Sequence, residues 1–196
     1  MTTDRLIRAD AARNRERILD TARSRITVHG PDVSMVDIAA AAGVAVGTLY
    51  RHFPTKTDLV AAIVSEHLDK LAGLVEKSVT RVESGLAEAD DELLHLLLTV
   101  LDGAADNRAL RAAALTLPEQ PAYSQSVLRA FSALNQLVAA GRAAGRLRPD
   151  LTADDVVLLA CTGPFDQPAQ ARERWLDLVR PGLLAQPAHS APAQKA

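Results

Sequence analysis

The sequence predicts an all-α protein, in which an N-terminal three-helix unit containing a helix-turn-helix precedes a larger C-terminal helical domain. Aromatic residues make up only 3% of the 196 residues, whereas 48% are hydrophobic. A composition rich in Ala and Leu favours helices over sheets. Apolar side chains recur at helical spacing along most of the chain, and Gly and Pro interrupt these runs where helices are expected to end.

The first helix is predicted over about Ala11 to His29. Its apolar stripe comprises Ile18, Leu19, Ala22, Ile26 and Val28. We expect this helix to brace the segment that follows it.

A capping pattern predicts the start of the second helix. Ser34 and Asp37 have the spacing of a capping box, in which the hydroxyl and the carboxylate each accept a hydrogen bond from a backbone N–H group. The helix should therefore begin at about Met35. Gly43 supplies the left-handed residue that commonly ends a helix and turns the chain.

A short third helix is predicted over Val46 to His52, directly after this turn. Its spacing directs Leu49 and Phe53 toward a core and spreads the polar residues over other faces: Thr48, Tyr50, Arg51 and His52. Two short helices joined by a glycine turn form a helix-turn-helix, a motif whose second helix is built to enter the major groove of DNA.

The residues after the third helix predict another helix start. Pro54 ends the third helix, and Thr55 with Asp58 repeats the capping-box spacing, so a helix should begin at Lys56. A cation in the first turn opposes the helix dipole. Because helix N-terminal N–H groups and an adjacent ammonium together suit a phosphate, Lys56 is predicted to bind the DNA backbone.

The fourth helix is predicted to be long and to belong to both halves of the protein, ending at Ser84 and Gly85. Its buried side is predicted to contain Leu59, Ile63, Val64, Leu68, Leu71, Leu74 and Val75. Further helices are predicted over about Ala89–Ala104, Arg108–Thr116, Tyr123–Ala144, Ala153–Thr162 and Pro168–Ala185. Residues 186–196 are rich in Pro, Ala and polar residues and are predicted to be disordered.

Charge is divided unevenly along the chain. The net charge of −2 separates into nine basic and seven acidic residues over positions 1–60, and thirteen basic and seventeen acidic residues over the remainder. A local basic surface is predicted to supply phosphate affinity. Its predicted members are Arg5, Arg8, Arg13, Arg15, Arg51 and Lys56. Arg5 and Arg8 also suit a flexible arm that reaches the minor groove.

The single cysteine fits a reducing compartment, and the absence of long apolar runs argues against a membrane-spanning helix. Cys161 excludes an internal disulfide and a zinc site built from several cysteines, and it is interpreted as a small buried apolar residue. No apolar run approaches the length that spans a bilayer, so a soluble, cytoplasmic protein with no membrane partner is expected.

At its N-terminal third the chain resembles the TetR family of bacterial repressors. The residues that carry this resemblance keep a fixed order over about the first sixty positions: Arg15 to Ile18, Ala22, Gly30, Ser34, Asp37-Ile38-Ala39, Ala42-Gly43-Val44, Gly47-Thr48-Leu49-Tyr50, His52-Phe53, Lys56 and Leu59. The resemblance implies a homodimeric, ligand-responsive transcriptional regulator, a repressor that a small molecule releases from a palindromic operator. It assigns residues 1–57 to DNA binding, with the recognition helix at about 46–52, and residues 58–185 to effector binding and dimerisation.

The resemblance also implies roles for individual residues. The residues that usually contact DNA phosphates in the family correspond by position to Ser34, Tyr50, His52 and Lys56 of this chain. The residue that corresponds to Thr48 contacts a base or a phosphate. Base choice is predicted to depend on Val44, Ala45, Val46, Thr48 and Arg51. The family often has Ser or Thr where Ala45 stands, so the cap of the recognition helix is predicted to be missing.

Dimerisation and effector binding are assigned to the C-terminal domain. The last two helices of each subunit are expected to form a four-helix interface between two copies. An unidentified small-molecule effector is expected, with no cofactor and no metal. Polar residues within apolar helical runs are the candidates for its pocket: His95, Arg111, Tyr123, Asn135 and Gln136. For each of His95, Arg111 and Tyr123, an ordinary surface, ion-paired or core residue is an alternative.

Parts of the sequence are also compatible with two other functions, an enzyme and an architectural protein. Glu92-x-x-His95 has the spacing of half a di-iron carboxylate site, but no second copy occurs, and no catalytic motif is present that would indicate an enzyme. A nucleoid-type architectural protein would use the helix-turn-helix without an effector. The large apolar C-terminal domain argues against this second alternative, because wrapping DNA does not require such a volume.

Overall fold

The computed structural model describes residues 2–106 and 121–185, with side chains described over 10–105 and 125–185. The described part is all-helical, as predicted. Its helices are α1 (Thr2–His29), α2 (Met35–Ala41), α3 (Val46–His52), α4 (Lys56–Glu83), α5 (Ala89–Asp106), α6 (Pro121–Ala143), α7 (Ala153–Thr162) and α8 (Ala169–Leu183). The predicted helix over 108–116 and the predicted tail over 186–196 lie outside the described residues.

The predicted bounds of α3 and α7 agree with the structure, but α1 begins nine residues before the predicted Ala11. No Gly or Pro occurs before Gly30, so nothing in the sequence interrupts helix propagation toward the N-terminus. The prediction of a flexible arm around Arg5 and Arg8 is therefore wrong, because the backbone is helical there. Similarly, α6 begins at Pro121, since proline is tolerated at the first helical position.

The chain forms two compact units. Among the described residues, the first comprises 2–70, 106 and 121–126, and the second comprises 71–105 and 127–185. Helix α4 passes from the first unit into the second between Lys70 and Leu71, so this helix belongs to both, as the sequence indicates. The predicted functional division at residues 57 and 58 stays a prediction.

Each unit has its own apolar core. In the first unit, α1 to α4 enclose Ile18, Leu19, Ala22, Ile26, Met35, Ile38, Ala39, Ala42, Leu49, Phe53, Leu59, Val60 and Ile63. In the second unit, the core is formed chiefly by leucines and valines from the C-terminal half of α4 and from α5 to α8, including Leu93, Leu97, Leu137, Leu147 and Val156. The first of these cores positions the helix-turn-helix.

Three residues predicted to be buried are exposed. Val28 is 70% exposed, because it lies two residues, or about 200°, around α1 from the buried Ile26. Leu74 is 40% exposed, because the buried line of α4 runs through Ala72 and Val75 instead. Cys161 is also exposed, which corrects its interpretation as a buried apolar residue.

None of the helices in the described ranges is both long and apolar enough to cross a membrane.

Candidate nucleic-acid interface

The start of α2 forms half of the predicted capping box. The Asp37 backbone N–H donates to Ser34 Oγ at 3.1 Å, as expected for an N-cap. The Asp37 carboxylate, however, accepts from the Ser34 hydroxyl at 2.6 Å, which corrects the prediction that it binds a backbone N–H group. Since the only hydroxyl proton of Ser34 is donated to Asp37, a hydrogen bond from this hydroxyl to a phosphate requires it to rotate away from that carboxylate.

The turn between α2 and α3 depends on Gly43. This residue has a φ of +63°, the left-handed region that other residues adopt only at a cost. The Gly43 N–H donates to Ala40 O at 3.1 Å, and the Val44 N–H donates to Ala39 O at 3.0 Å. These two bonds form a Schellman motif, which ends α2 and directs the chain into α3.

Helix α3 lacks a side-chain cap at its start. Ala45 occupies the N-cap position with φ −63° and ψ 142°, and no side chain there accepts a hydrogen bond, as predicted. Its carbonyl accepts from the Thr48 N–H at 2.8 Å and from the Leu49 N–H at 3.2 Å, so the helix begins through backbone bonds alone. Core packing must therefore stabilise α3.

The inner and outer faces of α3 match the sequence prediction. Leu49 is fully buried, and Phe53, which follows the helix, is 3% exposed. On other faces, Tyr50 is 45% exposed, Val46 is 38% exposed and Arg51 is exposed, while Thr48 and His52 are half-buried. Two apolar anchors thus hold a short helix whose remaining side chains are available to a partner.

The start of α4 forms the complete predicted capping box. The Thr55 N–H donates to Asp58 Oδ2 at 2.9 Å, and the Asp58 N–H donates to Thr55 Oγ1 at 3.1 Å. The Thr55 hydroxyl also donates to Asp58 Oδ2, at 2.7 Å. This arrangement fixes the first turn of α4, in which Lys56 is half-buried.

Most of the Lys and Arg side chains that are described in the first unit have partners. Arg13 pairs with Asp10 on the surface, and its predicted role in binding phosphate stays a prediction. The other bonded cations are Arg17 with Asn14, Arg23 with Asp20 and Glu66, Arg25 with His29, and Lys70 with Glu66. By contrast, Arg15, Arg51 and Lys56 have no hydrogen-bond or ion-pair partner among the side chains over 10–105 and 125–185.

The candidate effector-binding residues are not brought together by the described part of the chain. His95 is exposed on α5, and Asn135 is exposed on α6, where it donates to Phe131 O at 3.0 Å. Gln136, also exposed, borders an open groove between α4 and α6. Arg111 and the side chain of Tyr123 lie outside the described residues. The structure gives no support to these assignments, which stay predictions.

The Glu92-x-x-His95 motif has a structural role for its carboxylate. Glu92 is buried, and its oxygens accept from the Ser78 hydroxyl at 2.6 Å and from Arg81 Nε at 2.8 Å. Burial raises the pKa of Glu92, but these two hydrogen bonds outweigh it and hold the pKa below its usual value. Among the described residues, no group of three His, Cys, Asp or Glu side chains is arranged to hold a metal ion.

Comparison with known proteins relates the helix-turn-helix to bacterial regulators. Residues 18–63 match the family model described as bacterial regulatory proteins, tetR family. An HTH-type transcriptional regulator of Staphylococcus aureus strain MRSA252 is 45% identical over 67 residues, which are 33% of this chain and 35% of that protein. The chain therefore aligns with about a third of the length of the curated relatives it matches.

Solved structures extend the likeness to nearly the whole chain. A TetR transcription regulatory protein from Mycobacterium vanbaalenii is 29% identical, with a TM-score of 0.70 over 91% of this chain and 99% of its own. A transcriptional regulator from Saccharomonospora viridis in complex with choline has a TM-score of 0.67 over 89% of this chain and 100% of its own. At 22% identity, this second likeness is one of fold.

Proposed function

We propose that this chain, whose residues 18–63 match the tetR family model, is a TetR-family DNA-binding transcriptional repressor that a small molecule releases from its operator. The observation that supports this proposal most directly is the geometry of α3. Leu49 and Phe53 anchor the helix in the core of the first unit, while Tyr50 and Arg51 are exposed. A short helix held in this way after a glycine turn suits insertion into the major groove.

The proposed DNA contacts divide into two classes. Phosphates are bound by Ser34, Tyr50, His52 and Lys56, and these contacts set the register without reading sequence. Base edges are read by Val44, Ala45, Val46, Thr48 and Arg51. The three small apolar residues suit thymine methyl groups, and Arg51 suits the acceptor atoms of guanine.

The proposed partner is a second copy of this chain. On the last two helices, large apolar side chains are exposed: Val157 and Leu158 of α7 are 39% and 61% exposed, and Leu178 of α8 is 63% exposed. Covering these side chains would remove apolar area from water, worth about 25 cal/mol per Å². A two-fold dimer presents two recognition helices in opposite orientations, which is why the operator is proposed to be palindromic.

The proposed effector binds in the second unit and acts through α4, the helix shared by both units. The S. viridis protein of this fold was solved with choline, which supports a small-molecule role for the fold without naming the ligand of this chain. The effector is unidentified, and the protein is proposed to act in the cytoplasm on double-stranded DNA.

The proposal is tested by titrating the purified protein against DNA from upstream of its own gene and against duplexes selected from a random library. Nanomolar affinity for a palindromic site, falling steeply with salt, supports the proposal. Weak binding that is equal for all sequences contradicts it and favours the architectural alternative. A matched variant, L178D, is expected to weaken operator binding by disrupting the dimer while leaving the α3 contacts intact.

A further inference from the structure

Arg15 lies against the end of the recognition helix. Its guanidinium carbon is 5.5 Å from the centroid of the Phe53 ring, over the ring face. The ring is fixed because Phe53 is 3% exposed and its backbone N–H donates to Leu49 O at 2.8 Å. A residue of α1 is therefore placed at the point where α3 ends and the chain turns toward α4.

The Arg15 contact leaves its charge available. A ring face attracts a cation through its quadrupole and carries no net charge, so it does not neutralise the guanidinium. The contact also uses none of the five N–H donors, which remain free for bidentate binding of a phosphate. Arg15 is exposed, and no described carboxylate pairs with it.

The neighbouring arginines of α1 do not share this arrangement. Arg13 pairs with Asp10, and Arg17 donates to Asn14 at 2.8 Å. Arg15 therefore differs from Arg13 in having a charge that no described carboxylate neutralises, and from Arg17 in its position against Phe53. Lys56, another unpaired cation, follows Phe53 by three residues, which limits the Cα separation of the two to about 11 Å. Positive charge from α1 and from the start of α4 therefore lies near the end of α3.

We propose that Arg15 is a DNA-binding residue, positioned by Phe53 to bind a backbone phosphate beside the groove that α3 enters. This inference rests on the proposed function and adds to it a contact from α1. The residue lies outside the segment that matches the family model, which begins at Ile18.

The test measures the binding of R15Q to the best duplex selected by the wild-type protein at several salt concentrations, with fluorescence anisotropy as the readout. Each lost phosphate contact is expected to reduce the slope of log K against log salt by about 0.9 per subunit. If the contribution of the Arg15 contact to binding vanishes near 1 M salt, this change in slope corresponds to about an eightfold loss of affinity per subunit at 0.1 M salt. R15K, which keeps the charge, is expected to keep most of the slope.

R17Q is the matched control, because Arg17 is an exposed arginine two residues away on the same helix and is bonded to Asn14. It is expected to leave both the slope and the affinity unchanged. R15M separates binding from packing: a thioether chain still covers Phe53, so Tm should hold while the slope falls.

One result would contradict the phosphate contact of Arg15, and a different result would contradict the proposed function. If R15Q or R15M lowers affinity or Tm without changing the salt slope, Arg15 only braces α3 and the phosphate assignment is wrong. If the wild-type protein itself binds no selected duplex with a steep salt dependence, the proposed function fails, whatever the variants do.

Discussion

Arg23 of α1 donates a hydrogen bond to Glu66 of α4, with 3.0 Å between Arg23 Nη2 and Glu66 Oε2. The two residues are 43 positions apart, and their side chains are 25% and 34% exposed. Lys70 Nζ lies 2.6 Å from the other Glu66 oxygen. This partly buried ion pair joins the helix that braces the helix-turn-helix to the helix that leaves the first unit.

The first prediction concerns E66Q. Burial raises the pKa of Glu66, but the hydrogen bonds and charges of Lys70 and Arg23 outweigh it and hold the pKa below its ordinary value of 4.5. A lowered pKa in the folded state stabilises the protein above pH 4.5, and this contribution is lost as pH falls through the folded pKa. We expect E66Q to lower the free energy of unfolding by about 0.5–1 kcal/mol at pH 7, after allowance for solvent screening.

Urea unfolding at pH 7 and at pH 3.5 measures this difference. It should shrink at the lower pH, and E83Q, at an exposed position on the same helix, should show little effect at either. An E66Q effect that is as large at pH 3.5 as at pH 7 would contradict the electrostatic account.

The second prediction compares two glycines that both have open space where a Cβ would lie. Gly43 has a φ of +63°, whereas Gly47 is inside α3 and has no such conformation. G43A is expected to cost about 1–2 kcal/mol through backbone strain alone. G47A is expected to stabilise α3 by about 0.5–1 kcal/mol. Thermal unfolding of the two variants checks the opposite signs, and destabilisation by both would mean that space limits these positions.

The third prediction restores the missing cap of α3. Ala45 already has the extended conformation of an N-cap residue, so a serine hydroxyl at this position can accept from the N–H groups of the first turn. A45S is expected to raise the free energy of unfolding by about 0.5–1 kcal/mol. A40S, at an exposed position within α2, should lower it by a few tenths, since serine is a poorer helix former than alanine. Equal effects of the two substitutions in chemical denaturation would refute the capping explanation.

The fourth prediction concerns the ion pair between α5 and α8. Arg172 is 8% exposed, and its Nε and Nη2 lie 2.8 Å and 2.6 Å from Asp102 Oδ1. D102A leaves this buried cation without its carboxylate, at a cost of about 1–3 kcal/mol because the Asp102 side chain is 46% exposed.

The double variant D102A/R172M should recover part of this loss, since it removes the uncompensated charge as well. A double-mutant cycle in guanidinium chloride measures the coupling. If the changes in the free energy of unfolding for D102A and R172M sum to the change for the double variant, the ion pair makes no net contribution to stability.

The fifth prediction separates phosphate contacts from base contacts. Y50F and H52A are expected to weaken binding to all duplexes by a similar factor, and K56A to reduce the salt slope by about 0.9 per subunit. Binding titrations on the selected site and on a scrambled site check this. A variant among these three that changes base preference while keeping the salt slope would show that its role is misassigned.

Local chemistry explains why the starts of α2 and α4 and the turn between α2 and α3 can be predicted from the sequence. The starts of α2 and α4 depend on Ser34 and Thr55, and the turn depends on Gly43, each acting on residues within a few positions of itself. Such interactions can be read from spacing alone. The Asp37 carboxylate was nevertheless assigned the wrong donor, because a hydroxyl and a backbone N–H compete for it at similar range.

The burial of side chains on long helices is harder to predict from the sequence. Leu74 and Val28 are apolar and occur near helical spacing, yet both are exposed. Periodicity gives the angle between neighbouring side chains, but the direction in which a stripe faces depends on the helices packed against it. The same reason applies to Cys161, whose small apolar side chain is equally compatible with a buried or an exposed position.

The sequence by itself determined the all-α class, the helix-turn-helix, its glycine turn and the missing cap at Ala45, because these depend on contacts within one or two helical turns. Only the tertiary structure decided that Arg15 lies over Phe53, that Arg23 binds Glu66 and that Arg172 binds Asp102 across 70 positions. Contacts at such separations depend on how helices pack, and the energy of that packing is spread over a whole core rather than recorded in any short stretch of residues.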